Sequence, residues 1–208
     1  MKESEIERLI KLKQHEQEWF DRGLLYIAGI DEAGRGPLAG PVTVGCVIMP
    51  ENSMIEGIND SKKISESKRE KLYEKIIEEA IAWSVGIVDE KEIDNINILN
   101  ATKKALTMAI NSIEVKPELI FVDALENIDT IGIPYKSLIK GDSKVYSISA
   151  ASIVAKVTRD RIMRKYAEEY PEYGFERHKG YGTANHIKAI KKFGPCPIHR
   201  KSFIKNFI

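Results

Sequence analysis

The most constraining feature of the sequence is a short apolar run that ends in two adjacent carboxylates and a glycine-rich link. Residues 24–30 form this run, and Asp31 and Glu32 follow it directly. After the link, a second run rich in Val and Ile covers residues 41–49. Short apolar runs joined by a glycine-rich turn are typical of buried strands, so this region predicts an antiparallel pair.

The rest of the chain alternates between helical and strand-like patterns. Strands are predicted over residues 81–88, 119–122 and 133–139, and helices over 4–23, from Ser65 onward, and over 98–113, 146–170 and 184–193. Three strands in succession, followed by strands that alternate with helices, predict an α/β fold with a mixed sheet covered by helices. We expect one domain over 1–208, with an N-terminal helix within 1–23 and a basic C-terminal substrate-binding segment over 171–208.

Composition excludes several classes of protein. No stretch approaches the ~18 consecutive apolar residues of a membrane-spanning helix, and the N-terminus lacks the apolar core of a secretory signal. The two cysteines make neither a disulfide framework nor a metal knuckle, so we expect a cytoplasmic protein without a membrane partner.

The charge of the chain is unevenly distributed. Residues 136–208 contain 16 Lys and Arg against 6 Asp and Glu, whereas the formal net charge of the whole chain is only +1. A basic segment of this kind can bind phosphates, but a solvated surface is the more common reason for it. Charge alone therefore leaves nucleic-acid binding open.

Two adjacent carboxylates, Asp31 and Glu32, are energetically unfavourable at the end of a buried strand. Desolvating adjacent carboxylates costs several kcal/mol unless a cation or hydrogen-bond donors compensate, although a solvated turn is the simpler alternative. The glycines after them favour binding, because backbone without side chains can approach a ligand closely. Their spacing fits neither a nucleotide phosphate loop nor a dinucleotide-binding fingerprint, which disfavours an NTPase or a dehydrogenase.

Asp123 follows the apolar run 119–122 and so lies at the carboxyl end of another predicted strand. A helix cap or a turn residue is the alternative interpretation. If this strand lies parallel to the first and next to it, Asp31, Glu32 and Asp123 gather at one edge of the sheet. Hard oxygen ligands without nearby His or Cys suit Mg²⁺ or Mn²⁺ rather than zinc.

Asp160 lies on the predicted long helix, next to several cations. Lys156 is four residues before it and Arg161 follows it, so the pattern by itself indicates an ordinary surface ion pair. The small residues Ala151 and Ala155 on the same helix predict close packing against the sheet.

Tyr181 lies between two glycines in a cationic segment that covers residues 178–182. Cations next to aromatic rings can hold phosphates and stack on bases or sugars. Core packing is the alternative for most aromatic residues of this region. The irregular spacing of its histidines argues against a histidine metal site.

Together these motifs closely resemble type 2 ribonuclease H, the bacterial ribonuclease HII family. The two longest matching stretches, 28–42 and 150–161, are also the most specific. The complete set runs in family order and comprises residues 28–42, 59–62, 122–124, 140–142, 150–161, 178–182 and 197–203.

The resemblance implies a ribonuclease H-like fold, a five-stranded mixed sheet flanked by helices. It implies an endoribonuclease that hydrolyses the RNA strand of RNA-DNA hybrids and cuts at ribonucleotides embedded in duplex DNA. The implied acidic set, both catalytic and metal-binding, is Asp31, Glu32, Asp123 and Asp160. The resemblance also implies that the ribose 2′-OH and its phosphate contact Gly34, Arg35 and Gly36. Tyr181 would stack at the RNA to DNA junction.

The implied chemistry uses two cations, Mg²⁺ or Mn²⁺, roughly 4 Å apart. We expect Asp31 to bridge them. Glu32 and Asp160 would complete one site, and Asp123 would help to hold the other. Products with 5′-phosphate and 3′-OH ends follow, because water rather than the 2′-OH is the nucleophile.

Two alternatives remain at this point. A DNA nuclease with the same carboxylate chemistry, such as a junction resolvase, would cleave all-DNA substrates. A non-catalytic RNA-binding module, whose acids merely cap strands, would not depend on Mg²⁺. We expect the protein to act as a monomer.

Overall fold

A five-stranded mixed sheet with helices on both faces forms the body of the protein in the computed structural model, which describes residues 1–206. The strands are β1 (Ile27–Ala33), β2 (Val42–Ile48), β3 (Ala82–Val88), β4 (Leu119–Asp123) and β5 (Tyr135–Leu138). Their spatial order is β3-β2-β1-β4-β5. β1 pairs antiparallel with β2 and parallel with β4. The predicted fold class and the predicted β1–β2 pair are therefore confirmed.

Two long helices cover the faces of this sheet, α3 against β2 and β3, and α4 against β1 and β2. Within residues 1–206, no helix is both long enough and apolar enough to cross a membrane. Residues 207–208 of the expected basic C-terminal segment lie outside the described part. The helices are α1 (Glu3–Phe20), α2 (Glu66–Glu79), α3 (Glu90–Ser112), α4 (Tyr146–Glu169), α5 (Phe175–His178), α6 (Ala184–Phe193) and α7 (Lys201–Ile204).

Glycines in β1 and β2 allow α4 to approach the sheet closely. A Cβ atom at Gly29 would overlap the backbone of Ser147, and one at Gly45 would lie 2.6 Å from the carbonyl oxygen of Ala151. Distances this short leave no room for a side chain. The small residues of α4 therefore meet the sheet as predicted, and the helix is fixed against the strand that carries Asp31.

Two helices begin earlier than the sequence predicts. α1 begins at Glu3, so Ser4 lies within its first turn instead of capping it. α3 begins directly after Asp89, whose side chain caps it, whereas the periodic pattern predicts a start near residue 98. Asn97 has φ +67° and kinks α3. The apolar pattern of α3 after Asn97 is therefore out of phase with the pattern before it, so the periodicity predicts only the second half of the helix.

Helix α1 buries two charged side chains together with its apolar ones. Ile10 is 60% exposed, whereas Leu9, Lys13 and Glu16 are buried. The ammonium of Lys13 donates hydrogen bonds to backbone carbonyl oxygens in the loop after β2, which compensates for its burial.

Candidate active site

Three carboxylates converge where β1, β4 and the turn before α4 meet. The parallel pairing of β1 with β4 places Asp31 and Asp123 at the same edge of the sheet. Asp142 joins them from a short 3-10 turn over Gly141–Ser143. One oxygen from each of these three residues lies within 4.8 Å of the other two. We call Asp31, Asp123 and Asp142 the carboxylate group.

Asp142 reaches the group because the chain turns back sharply after β5. Lys140 adopts a left-handed backbone conformation, with φ +60°, and the N–H of Gly141 donates a 2.7 Å hydrogen bond to Oδ1 of Asp123. That bond ties the turn to the end of β4. In the sequence, Asp142 is only part of the matching stretch 140–142 and has no predicted role. No apolar strand pattern runs directly up to it, as one does to Asp31 and Asp123.

Asp31 is buried and Glu32 is half-buried, and each has one buried carboxylate oxygen without a hydrogen-bond partner among the described residues. The other oxygen of Asp31 accepts a 2.8 Å bond from the N–H of Glu32. Burial raises the pKa of Asp31 well above its ordinary value, and the charges of Glu32 and Asp123 raise it further. Burial also raises the pKa of Glu32, although nearby Arg35 opposes this shift.

A divalent cation fits this arrangement. Unpartnered buried carboxylate oxygens carry a free-energy cost, which a cation bound to them would offset. The carboxylate group contains neither imidazole nor thiolate, and hard oxygen ligands favour Mg²⁺ or Mn²⁺. Asp31, Asp123 and Asp142 are thus placed to hold metal, with Glu32 directly beside them.

Lys62 brings a positive charge to the rim of the carboxylate group, with its Nζ 3.7 Å from Oδ2 of Asp142. Burial lowers the pKa of Lys62, but the charges of Asp31 and Asp142 outweigh this and raise it overall. Burial raises the pKa of Asp142, and Asp60 and Asp123 add to that shift. A protonated ammonium at this rim can meet a substrate phosphate.

Asp160 lies outside the carboxylate group. Its Oδ1 accepts a 2.6 Å bond from Lys156 Nζ, and its Oδ2 accepts a 3.2 Å bond from Arg69 Nη1. Both oxygens of this buried side chain are engaged by cations, so no unmatched negative charge remains for a metal. The position of Asp160 does not support the expectation that it belongs to the metal-binding set.

The turn formed by Gly34, Arg35 and Gly36 is held from inside the protein by Arg200. This fully buried side chain donates hydrogen bonds of 2.6 Å and 3.0 Å to the carbonyl oxygens of Gly34 and Arg35. The carbonyl oxygens of Gly40 and Pro41, at the end of the glycine-rich link, also accept hydrogen bonds from Arg200. A Cβ atom at Gly36 would meet no atom within 4 Å, so this turn leaves open space for a ligand.

Arg159 connects the same link to the loop that carries Tyr181. Its buried guanidinium donates bonds of 3.0, 2.9 and 2.9 Å to the carbonyl oxygens of Ala39, Pro41 and Lys179. It also lies 5.8 Å from the centroid of the Tyr181 ring. Arg159 thus connects the glycine-rich link and the Tyr181 loop, the two segments that the resemblance implies contact the substrate.

Arg159 and Arg200 are buried without a carboxylate within 4.0 Å among residues 1–206. Burial lowers the pKa of Arg159 to about 10. Burial, followed by the charge of Arg159, lowers the pKa of Arg200 to about 9. Both remain cationic at neutral pH and add positive potential beneath the loops that would face a polyanion.

Tyr181 is 42% exposed, and Lys156 Nζ lies 5.8 Å from its ring centroid. The carbonyl oxygen of Tyr181 lies 2.9 Å from Nδ1 of His186, and Nε2 of His186 lies 3.0 Å from Nε2 of His199. His199 Nδ1 accepts a bond from the N–H of Cys196, and burial lowers the pKa of both His186 and His199. A chain of neutral imidazoles therefore anchors the Tyr181 loop, which the irregular histidine spacing did not reveal.

Comparison with known proteins shows which family the chain belongs to. The family model for ribonuclease HII matches residues 28–206. Ribonuclease HII of Acetivibrio thermocellus is 57% identical over 206 residues, which cover 99% of this chain and 80% of that protein. The crystal structure of ribonuclease H2 from Pyrococcus horikoshii OT3 aligns with a TM-score of 0.73 and 31% identity, over 88% of this chain and 97% of that one.

A more distant structure, Bst RNase HIII in complex with Mn²⁺, shares the fold. It aligns with a TM-score of 0.64 and 20% identity, and the alignment covers 82% of this chain and 63% of that chain. The match to the Acetivibrio thermocellus protein over 99% of this chain confirms the resemblance seen in the sequence. With the family model covering nearly everything from β1 onward, the chain belongs to the ribonuclease HII family.

Proposed function

We propose that the protein cuts at single ribonucleotides embedded in duplex DNA, as well as within the RNA strand of RNA-DNA hybrids, and that it uses Mg²⁺ or Mn²⁺. As a member of the ribonuclease HII family, it is a metal-dependent endoribonuclease that acts on RNA-DNA hybrids. The carboxylate group carries the proposal, because it combines hard oxygen ligands with unpartnered buried acceptors.

The proposed ligands are Asp31, Glu32, Asp123 and Asp142. Bound divalent cations supply Lewis-acid stabilisation of the phosphate and an activated water. Asp31 would be the ligand common to both cations, because the charges of Glu32 and Asp123 both act on it and it is the most deeply buried of the carboxylate group. Asp142 takes the place expected for Asp160. The proposed role of Asp160 is to hold Lys156 below the Tyr181 ring.

Recognition of the substrate is proposed to use two loops. Gly34, Arg35 and Gly36 would contact the ribose 2′-OH and its phosphate, which is the contact that distinguishes RNA from DNA. Arg200 would keep this turn in place through its bonds to the carbonyl oxygens. Tyr181 would stack on the sugar or base at the RNA to DNA junction.

The products follow from the proposed nucleophile. Water attacks the phosphorus in line with the departing 3′ oxygen, so the cut leaves 5′-phosphate and 3′-OH ends. Lys62 at the rim of the carboxylate group is placed to neutralise a phosphate oxygen during this displacement.

One assay separates the proposal from its alternatives. Three duplexes are compared with and without Mg²⁺ or Mn²⁺: a hybrid, a DNA duplex with one ribonucleotide, and an all-DNA duplex. We expect metal-dependent cutting of the first two only. Cleavage of the all-DNA duplex would instead indicate a DNA nuclease, and metal-independent binding without cleavage would indicate an RNA-binding module.

A matched pair of variants tests the site itself. Asp31→Asn keeps the shape of the side chain but removes its charge, so we expect cleavage to fall below about a tenth of the wild-type rate. Glu114→Gln, at an exposed position before the opposite end of β4 from Asp123, is the control and should cleave normally. Normal cleavage by Asp31→Asn would contradict the assignment.

We also propose that the protein works in a reducing compartment such as the cytoplasm, since Cys46 and Cys196 are both free thiols. The monomeric state stays a prediction, which light scattering of the purified protein checks.

A further inference from the structure

A basic groove borders the carboxylate group on the side of helix α1. It has a volume of about 360 Å³ and lies between α1, the segment before α2 and the turn before α4. No carboxylate lines it, and its titratable lining residues are Arg8, Lys11, His15, Lys63 and Lys144. We call this feature the α1 groove.

Two of these lysines have charges that no acid of the described part neutralises. Within residues 1–206, Lys11 and Lys144 are exposed, and neither has a carboxylate oxygen within 4.0 Å. Arg8 differs, because it forms an ion pair of 2.8 Å with Glu5 and helps to hold α1 in place. Lys11 and Lys144 are therefore the cations that a ligand in the groove would meet.

The groove and the rim of the carboxylate group are formed by residues that adjoin in the chain. Ser143, on its wall, directly follows Asp142 in the chain. Lys63, on the opposite wall, directly follows Lys62, whose Nζ lies 3.7 Å from Asp142. An anion that leaves the carboxylate group in this direction passes from Lys62 into the groove.

The groove and Tyr181 lie on opposite sides of the carboxylate group. Lys144 precedes the first turn of α4, whereas the Tyr181 ring lies over Arg159, fifteen residues further along. At ~1.5 Å per residue, this separation is roughly 20 Å along the helix axis. β1 runs beside α4 between these two points and carries Asp31.

We propose that the α1 groove binds the phosphodiester backbone of the duplex beyond the cleavage site, on the side away from Tyr181, through Lys11 and Lys144. The proposal rests on the proposed function, since it requires a duplex lying across the carboxylate group. Successive phosphates of one strand rise ~3.4 Å along the duplex axis, so a duplex lying parallel to α4 places roughly six of them between Tyr181 and Lys144.

Electrostatics favours such a contact. The carboxylate group repels a polyanion, and cations beside it raise the local concentration of substrate and release counterions when phosphates bind. Helix α1 precedes residues 28–206, so the family model does not describe the helix that supplies Lys11. The groove also lies outside residues 171–208, the C-terminal segment that was expected to bind substrate.

The test compares two double variants that change the charge equally. Lys11→Glu/Lys144→Glu removes the two groove cations, and Lys71→Glu/Lys75→Glu changes two exposed lysines on α2. The affinity for a fluorescent duplex with one ribonucleotide is measured from low to physiological salt. We expect the groove variant to bind at least about tenfold more weakly at low salt and to lose about two units of the logarithmic salt slope. The control should stay near wild type.

Trimmed duplexes locate the contact. DNA is removed stepwise from one end of the duplex or from the other, with the ribonucleotide kept in place. Trimming the end on the groove side, away from Tyr181, should abolish the difference in affinity between the wild type and the groove variant. Trimming the end on the Tyr181 side should preserve it. Cleavage by the groove variant should show a larger increase in KM than decrease in kcat.

Equal affinities and salt slopes for the groove variant and the control would overturn the inference. A penalty that survives trimming at both ends would overturn it as well, because the lysines would then act through general charge. Failure of the proposed function is distinguishable, since the wild type itself would then not cut the ribonucleotide duplex.

Discussion

Arg200 Nη2 donates a 2.6 Å hydrogen bond to the carbonyl oxygen of Gly34, although 166 residues separate the two in the chain. The C-terminal part of the protein thus fixes the turn that follows the first strand. Since the same guanidinium also binds the carbonyl of Arg35, the whole recognition turn depends on one planar side chain. Its fork of donors is the property that a lysine lacks.

Arg200→Met should therefore slow cutting at a single ribonucleotide by roughly 10- to 100-fold, because a misplaced turn no longer seats the ribose. Arg200→Lys should recover only part of this loss. The midpoint of the Mg²⁺ titration should stay unchanged, since the carboxylate group is untouched. Steady-state kinetics measure these effects, with exposed Arg22→Met as the control. A shifted metal midpoint would show that Arg200 acts on the metal site instead.

Two further substitutions decide which acid completes the metal-binding set. Asp142→Asn should reduce cleavage by about 100-fold or more and raise the Mg²⁺ midpoint, because it removes a ligand. Asp160→Asn should leave the Mg²⁺ midpoint near wild type. It should instead lower the melting temperature, because Arg69 and Lys156 lose the partner of a buried ion pair. The opposite outcome in the metal titrations would restore the assignment of Asp160.

Tyr181→Ala should impair cutting beside an embedded ribonucleotide more than it impairs binding to the duplex. Loss of one stacking contact, worth ~1 to 3 kcal/mol, corresponds to a rate loss of roughly 5- to 150-fold. Tyr181→Phe should keep most of the activity, since the ring itself makes the contact. Single-turnover rates on one duplex, under matched metal and salt, test this. A wild-type rate for the alanine variant would remove Tyr181 from the site.

Glu16 should make the stability of the protein depend on pH. Burial raises its pKa from 4.5 to about 7. The folded protein then holds this proton more tightly than the unfolded chain, so the contribution of Glu16 is present below pH 4.5 and is lost as the pH rises through about 7. Glu16→Gln should be more stable than wild type at pH 8, by up to about 3 kcal/mol. Denaturant unfolding at pH 4.5 and 8 measures whether this difference widens as expected.

The sheet was predictable because its strands are short, almost wholly apolar runs that end at polar residues. Asp31 and Asp123 could be placed together for the same reason, since parallel neighbours end at one edge. Asp142 could not, because its position depends on the left-handed conformation of Lys140 and on a bond from Gly141. Neither leaves a periodic pattern in the sequence.

The burial of individual polar side chains could not be predicted from the sequence either. Pattern reasoning treats Lys13 and Arg200 as surface residues, whereas both are buried with their donors bound to backbone carbonyls. Such bonds depend on loops that are distant in the chain, so local spacing cannot indicate them. The same holds for His186 and His199, whose contact joins helix α6 to the loop before α7.

The order of the strands determines when this enzyme can become active during its synthesis. β4 joins the sheet beside β1 only after β2, β3 and α3 have been made, and the turn with Asp142 comes later still. Until β4 and this turn have been made, Asp31 and Glu32 are an isolated acidic pair. We expect N-terminal fragments that end before Asp142 to lack hydrolytic activity, because they cannot assemble the carboxylate group.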